Sequence, residues 1–319
     1  MLNLRLFAWM FLVGLMVLGV GVVSGQDYPS KTIRIVTAGA GGGSDFVARI
    51  VSQGISGPLG QPVIVDNRTP SVFATETASK ALPDGYTFIV TGGALWIYPL
   101  LYKAPYDAIG SFSPISLITR EVFVLAVHPS VPVKSVQELI ALAKARPGTL
   151  NYSSGSRGST YHLAVELFKT ITGVNIVHVA YKSPALAVTA LVSGETQMTI
   201  FDAGLVMPQV KSGRLRALAV TSATPSALVP GLPTVASVVP GYEAVGSTGM
   251  WAPARTPAAI INRINQEVVR VINQPDVKEK FLNGGAEPVG NTPEQFSAYI
   301  KNDIARVSKV IKDAGIKID

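Results

Sequence analysis

The feature that most constrains the fold is an alternation. Short runs rich in β-branched and aromatic residues take turns with amphipathic stretches, the mark of α/β architecture. TIRIVT (32–37), PVIVDN (62–67), the end of LPDGYTFIVTGG (82–93) and FVLAVH (123–128) read as strands. So do NIVHVAY (175–181), QMTIFD (197–202) and LRALAVT (215–221). SDFVARIVSQGI (44–55) puts Phe46, Val47, Ile50, Val51 and Ile55 near helical spacing, with Ser44 as N-cap. In SVQELIALAKARPG (135–148), Ser135 and Glu138 make a capping box, and Pro147-Gly148 stops the helix. Residues 150–173 read as a strand, a Ser/Gly loop and a helix ending at Gly173. Further helices fall near 184–193 and 204–212, then over 258–273, 276–284 and 293–315. Two strand-rich sectors predict two α/β domains. No flexible linker parts them, which suits more than one chain crossing.

Composition narrows the function. Cysteine is absent, so disulfides and thiolate chemistry are excluded. His128, His162 and His178 are the only histidines, too few for a His-built metal site. No metal or cofactor is expected. The net charge of +7 is scattered, without the clustered stripe that nucleic acid would want, so no nucleic-acid partner is expected. Residues 6–26 carry no charge, Arg5 precedes them, and Val23-Ser24-Gly25 fits a small-residue cleavage rule. This reads as a secretory signal peptide over residues 1–25, with a mature chain from about Gln26 in the periplasm. An uncleaved membrane anchor is the alternative.

Two loops of one kind stand out. AGAGGGSD (38–45) and SSGSRGST (153–160) each follow a strand and open a helix. Helix N-termini offer free N–H donors and the positive dipole end. Glycine lets the backbone approach closely, and Ser44, Ser153, Ser154, Ser156, Ser159 and Thr160 add hydroxyls. Facing one cleft, the loops would cage a carboxylate; singly, each is equally a tight turn before a capped helix. Gly39-x-Gly41-x-x-Ser44 with Asp66 approaches a dinucleotide fingerprint, but its third position is Ser. Ser159, His162 and Asp202 could be drawn as a hydrolytic triad, yet no G-x-S-x-G elbow is present.

The mature chain as a whole resembles the solute-binding proteins of tripartite tricarboxylate transporters, the Bug family. The resemblance rests on YPSKTIRIV (28–36), GGGSDFVAR (41–49), LGQPVIVDNR (59–68), PDGYTF (83–88) and ELIALAKARPGTLNYSSGSRGSTYHLAVELF (138–168). VHVAYKS (177–183), GRLRALAVTS (213–222), PTV (233–235), APARTP (252–257) and GAEPVGNTPEQF (285–296) add to it. It implies a two-lobed, Venus-flytrap binding protein of the periplasmic type, closing on a small carboxylate such as a di- or tricarboxylate, an amino acid or an aromatic carboxylate. Under it, residues 26–124 with 247–319 form one lobe and 125–246 the other. The ligand-binding positions it implies are Gly42, Gly43, Ser44 and Asp45 in the first loop. In the second they are Ser154, Gly155, Gly158, Ser159 and Thr160. Thr91, Gly92 and Asp202 would line the cleft. Asp45 could instead cap its helix. Arg157 could fork onto a second carboxylate or stand solvated. A monomer serving the membrane subunits of a tripartite transporter is expected, not an enzyme; a ligand sensor or an exported hydrolase are the other readings.

Departures bear on the ligand. Gly43 stands where the family pattern offers a hydroxyl, TPSVFATE (69–76) replaces a Pro-Gly turn, and Ser247 replaces a frequent Trp. If the 69–76 segment lines the cleft, Phe73 would bring an aromatic ring to it. Trp96 and Trp251 occur elsewhere, where packing is the plainer role. These changes tilt the expected ligand towards a larger or aromatic carboxylate.

Overall fold

The computed structural model describes residues 28–41, 43–155, 157–181, 183–313 and 315–316. The leader expected over residues 1–25, Gly42 and Ser156 lie outside the described residues. Among the described residues, no helix is long and apolar enough to cross a membrane.

Strand β1 (Ile33–Thr37) runs parallel to β2 (Val63–Asn67) and to β3 (Thr87–Gly92). Their crossovers are α1 (Gly43–Leu59) and α2 (Ser71–Ser79), and α3 (Ala94–Leu101) follows β3. The second sector repeats the plan. After α4 (Val136–Ala145), β5 (Asn151–Ser154) runs parallel to β6 (Val177–Ala180) and to β7 (Met198–Asp202). Here α5 (Thr160–Thr172) and α6 (Pro184–Val192) are the crossovers, and α7 (Ala203–Lys211) leads to β8 (Arg216–Val220).

Two antiparallel strands join the sectors. β4 (Phe112–Val127) pairs with β9 (Val245–Pro253) as far as Val122. From Phe123 onwards the same strand pairs with β7 and β8. The order is β2-β1-β3-β9-β4-β7-β5-β6, with β8 and β10 (Ala286–Pro288) also paired to β4. The result is a two-lobed α/β architecture on one curled sheet, mixed where a parallel one was the model for ligand placement. The sequence reading anticipated only the second half of β4, because Ser113, Pro114 and Ser116 break the apolar run before it. It did not anticipate β9, α2 or α3.

The helices α8 (Ala258–Ile272), α9 (Pro275–Asn283) and α10 (Pro293–Asp313) return to the β1 sector. α8 buries Ile261, Ile264, Val268 and Val271 against α1, whose Val47, Val51 and Ile55 are also buried. Each such side chain contributes roughly 1.5–3 kcal/mol. α10 reaches both sectors. Its Asp303 accepts the Trp96 indole N–H at 2.7 Å, while Arg306 donates to the Glu243 carbonyl at 2.7 Å, just before β9. Trp96 and Trp251 pack with centroids 5.9 Å apart and are core residues.

Ser135 accepts from the Glu138 N–H as expected, but the Glu138 carboxylate reaches back to the Lys134 N–H, so only half of the capping box forms. Gly173 ends α5 at φ 68° as expected, and Ser159 caps the start of α5 by accepting from the His162 N–H. Helix α1 starts at Gly43, so Ser44 lies inside the first turn and is not the N-cap.

Candidate functional site

A cavity of about 320 Å³ opens where the carboxyl ends of β1, β3 and β7 meet the crossing strands. Gly43 and Ser44 line it from the first loop, Thr91 and Gly92 from the end of β3, Thr160 from the start of α5, and Asp202 from the end of β7. These predicted positions therefore face one space, although they span both sectors. A second cavity of about 360 Å³ adjoins it and shares Ser71, Ala94 and Thr160. Arg157, Gly158 and Ser159 line that second space, with Tyr98 and Tyr102 stacked opposite at 4.7 Å between centroids.

Other predicted positions lie elsewhere. Asp45 is 4% exposed and does not line the cavity. Its carboxylate accepts the Gly41 N–H at 2.9 Å, the Arg49 guanidinium at 3.0 Å and the Asn67 amide at 2.8 Å. Burial works against its charge, but these donors win and hold its pKa below the ordinary value. Through these contacts Asp45, in the first turn of α1, pins the loop. Ser154 is fully buried, and its hydroxyl bonds the Gly155 carbonyl at 3.0 Å and His178 Nε2 at 2.7 Å. Ser154 and Gly155 are buried and line neither cavity; β5 lies between β7 and β6 inside the sheet. Phe73 is exposed, and Ser71 takes the lining place of that segment.

Behind the second loop the imidazoles of His162 and His178 stack at 4.2 Å between centroids, beside Tyr152. His162 Nδ1 accepts the Gly158 N–H at 3.0 Å. Burial holds both histidines down at about 4; neighbouring His178 adds to this for His162, and Arg157 for His178. A neutral imidazole is what that acceptor role requires. No Ser159–His162–Asp202 triad forms: the Ser159 hydroxyl is used on a backbone N–H, and Asp202 accepts from the Tyr161 hydroxyl. Asp66 is engaged by Arg34 and Arg68, which removes the ribose partner of the dinucleotide reading.

The floor of the cavity was not foreseen. Glu121, Phe123 and Tyr161 line it, with Gly246, Ser247 and Thr248 from β9. Glu121 Oε1 accepts from Thr119 at 2.8 Å and from Thr248 at 3.0 Å. Burial pushes the Glu121 carboxyl up to about 7 and that of Asp202 up to about 6. Gly246 pairs with Glu121 across β9, and a Cβ there would stand 2.5 Å from Glu121 Oε2. The signal in sequence was Arg120-Glu121, a charged pair set directly before the apolar run VFVLAV.

The arrangement offers backbone and hydroxyl donors on its rim and acceptors on its floor. It can capture a small polar molecule between lobes. Comparison with known proteins agrees in kind. Residues 47–316 match the family described as "Tripartite tricarboxylate transporter family receptor". The chain is 32% identical to BugT of Bordetella pertussis over 316 residues, 96% of this chain and 97% of that one. Among solved structures it is similar to Rpa4515 of R. palustris with adipate, at 35% identity and a TM-score of 0.79, covering 91% of this chain and 99% of that one. It is also similar to MatC from Rhodopseudomonas palustris with bound malate, at 25% identity and a TM-score of 0.73, covering 89% of this chain and 100% of that one.

Proposed function

We propose, since the chain belongs to the tripartite tricarboxylate transporter receptor family, that it captures a small carboxylate and passes it to the membrane subunits of such a transporter. Family members are solute-binding proteins rather than enzymes, and a relative of this fold is a periplasmic binding protein. The proposed place of work is the periplasm, reached through the leader read in residues 1–25. The proposed chemistry is reversible capture by a monomer, with no nucleophile, metal or cofactor.

One observation carries the reading. Gly43 and Ser44 of one sector and Thr160 of the other converge on a single cavity, each at the N-terminus of a helix. An anion there would meet free N–H groups, short hydroxyls and two positive dipole ends. The proposed ligand positions are Gly43, Ser44, Thr91, Gly92 and Thr160, joined by Gly42 on the family resemblance. Arg157, Gly158 and Ser159 serve a longer ligand, which the adjoining cavity supports. Lobe closure, with residues 26–124 plus 247–319 moving against 125–246, would be selected by the ligand.

The test is a thermal-shift screen over aliphatic and aromatic mono-, di- and tricarboxylates and aminocarboxylates. A ligand at 100 times its dissociation constant adds about 2.7 kcal/mol of stability, which raises the midpoint by several degrees. A flat response to every carboxylate in the set sinks the proposal.

A further inference from the structure

The floor of the cleft carries two acids. Glu121 and Asp202 both line the cavity, and each has one oxygen engaged and one free. Thr119 and Thr248 both donate to Glu121 Oε1; Oε2 has no hydrogen-bond partner among the described residues. Tyr161 donates to Asp202 Oδ2, and Oδ1 likewise has no partner among the described residues.

Backbone register aims both groups at the same place. Phe123 of β4 pairs with Asp202 of β7, and Glu121 precedes Phe123 by two positions on the same face of β4. Glu121 and Asp202 are therefore diagonal neighbours, with Cβ atoms roughly 7 Å apart by antiparallel-sheet geometry. That register puts both carboxyl groups on one face of the sheet, beside one cavity. Gly246 makes the room: any side chain there would collide with the Glu121 carboxylate. Polar donors at Ser44 and Thr160 line the same cavity.

We propose that Glu121 and Asp202 form a pole selective for a cationic nitrogen, so that the ligand is an aminocarboxylate rather than a plain dicarboxylate. The inference rests on the carboxylate-capture reading above and adds the chemistry of the ligand's other end. An ammonium at this pole gains charge-assisted bonds to the ionised pair, whereas a carboxylate is accepted there only when the pair is protonated. The burial that raises both carboxyls when the cleft is empty supplies the low-dielectric surroundings in which such bonds are strong.

The experiment uses matched pairs of equal length. Glutarate, adipate and benzene-1,4-dicarboxylate are set against 5-aminopentanoate, 6-aminohexanoate and 4-(aminomethyl)benzoate; succinate and glutarate are set against aspartate and glutamate. Affinities are measured by calorimetry near neutral pH on the full chain and on Glu121→Gln and Asp202→Asn. In the unaltered protein, the best aminocarboxylate is expected to bind at least tenfold tighter than its dicarboxylate partner. Glu121→Gln, which keeps the shape and the Thr119 and Thr248 contacts, is expected to reduce that preference tenfold or more. Asp202→Asn is expected to reduce it less, because Tyr161 already holds that group. Dicarboxylates binding as tightly as their partners would overturn the proposal and leave carboxylate capture standing. A preference that survives Glu121→Gln unchanged would overturn it too. If neither series binds, carboxylate capture itself fails and the pole falls with it.

Discussion

The two glycine-rich loops are near twins in sequence and are held in opposite ways. The first is fixed by charge: Asp45 turns its carboxylate inward onto Gly41, Arg49 and Asn67, and leaves Gly43 and Ser44 to the cavity. The second is fixed by neutral groups. Ser154 bonds His178, Gly158 bonds His162, and Ser159 caps its own helix. Among the described residues of the second loop, Thr160 alone reaches the main cavity, and Arg157, Gly158 and Ser159 reach the adjoining one. The lesson is that a strand–glycine–helix pattern sets where the backbone goes, while the groups behind the loop decide which side chains remain free.

Removing the charge should have the larger effect. Asp45→Ala removes a buried acceptor shared by the Gly41 N–H, the exposed Arg49 guanidinium and the half-buried Asn67 amide, and is expected to cost about 2 kcal/mol in stability by denaturant unfolding. Carboxylate binding should weaken with it, since the loop loses its anchor. An unchanged unfolding midpoint would break the contrast between the loops.

The neutral anchor should show itself in acid. His162 and His178 titrate near 6.5 when unfolded and at about 4 when folded. The unfolded chain therefore binds more protons between those values, and stability is lost as pH falls from about 6.5 towards 4. His162→Phe is expected to cost roughly 1–2 kcal/mol at neutral pH and to flatten this acid slope, as followed by thermal midpoint against pH. The cleft carboxyls slope the other way. Glu121 and Asp202 are raised in the folded state to about 7 and about 6, so the stability from their folded protonation is present in acid and is lost as pH rises through these values. A Glu121→Gln protein should lack much of the neutral-side loss while keeping the acid-side one.

The smallest effects separate lining from backing. Thr160→Val is expected to weaken ligand binding about tenfold with little change in stability, because it removes a donor at the cavity edge. Ser154→Ala is expected to do the reverse, costing about 1 kcal/mol of stability and leaving affinity unchanged. Equal losses of affinity in both would mean that the second loop presents more of itself to the ligand than its contacts indicate.

The loops, their strand-end positions and the two-sector α/β plan were legible because each has a local signature in glycine, caps and periodicity. Side-chain direction was not. Ser154 carries the same hydroxyl as Ser44, but it is buried and spent on the Gly155 carbonyl and His178. Asp45 and Asp202 are both acids beside a helix start, yet Arg49 and Asn67 turn one inward while the other lines the cleft. Glu121 was missed because its site is assembled by a pairing with Gly246, far along the chain, and no local pattern records that partner.

The pairing of β9 with β3 governs the order in which the molecule can be assembled. Everything from α3 to β8 is synthesised between the two strands. At common rates of synthesis, of 5–20 residues per second, the interval from Gly92 to Val245 is roughly ten to thirty seconds. For that time one edge of β3 has no partner strand, while β5, β6 and β7 emerge within the interval and can pair among themselves. The sector that begins the chain is thus the one that closes last, and its exposed edge is what a chaperone would have to guard in the meantime.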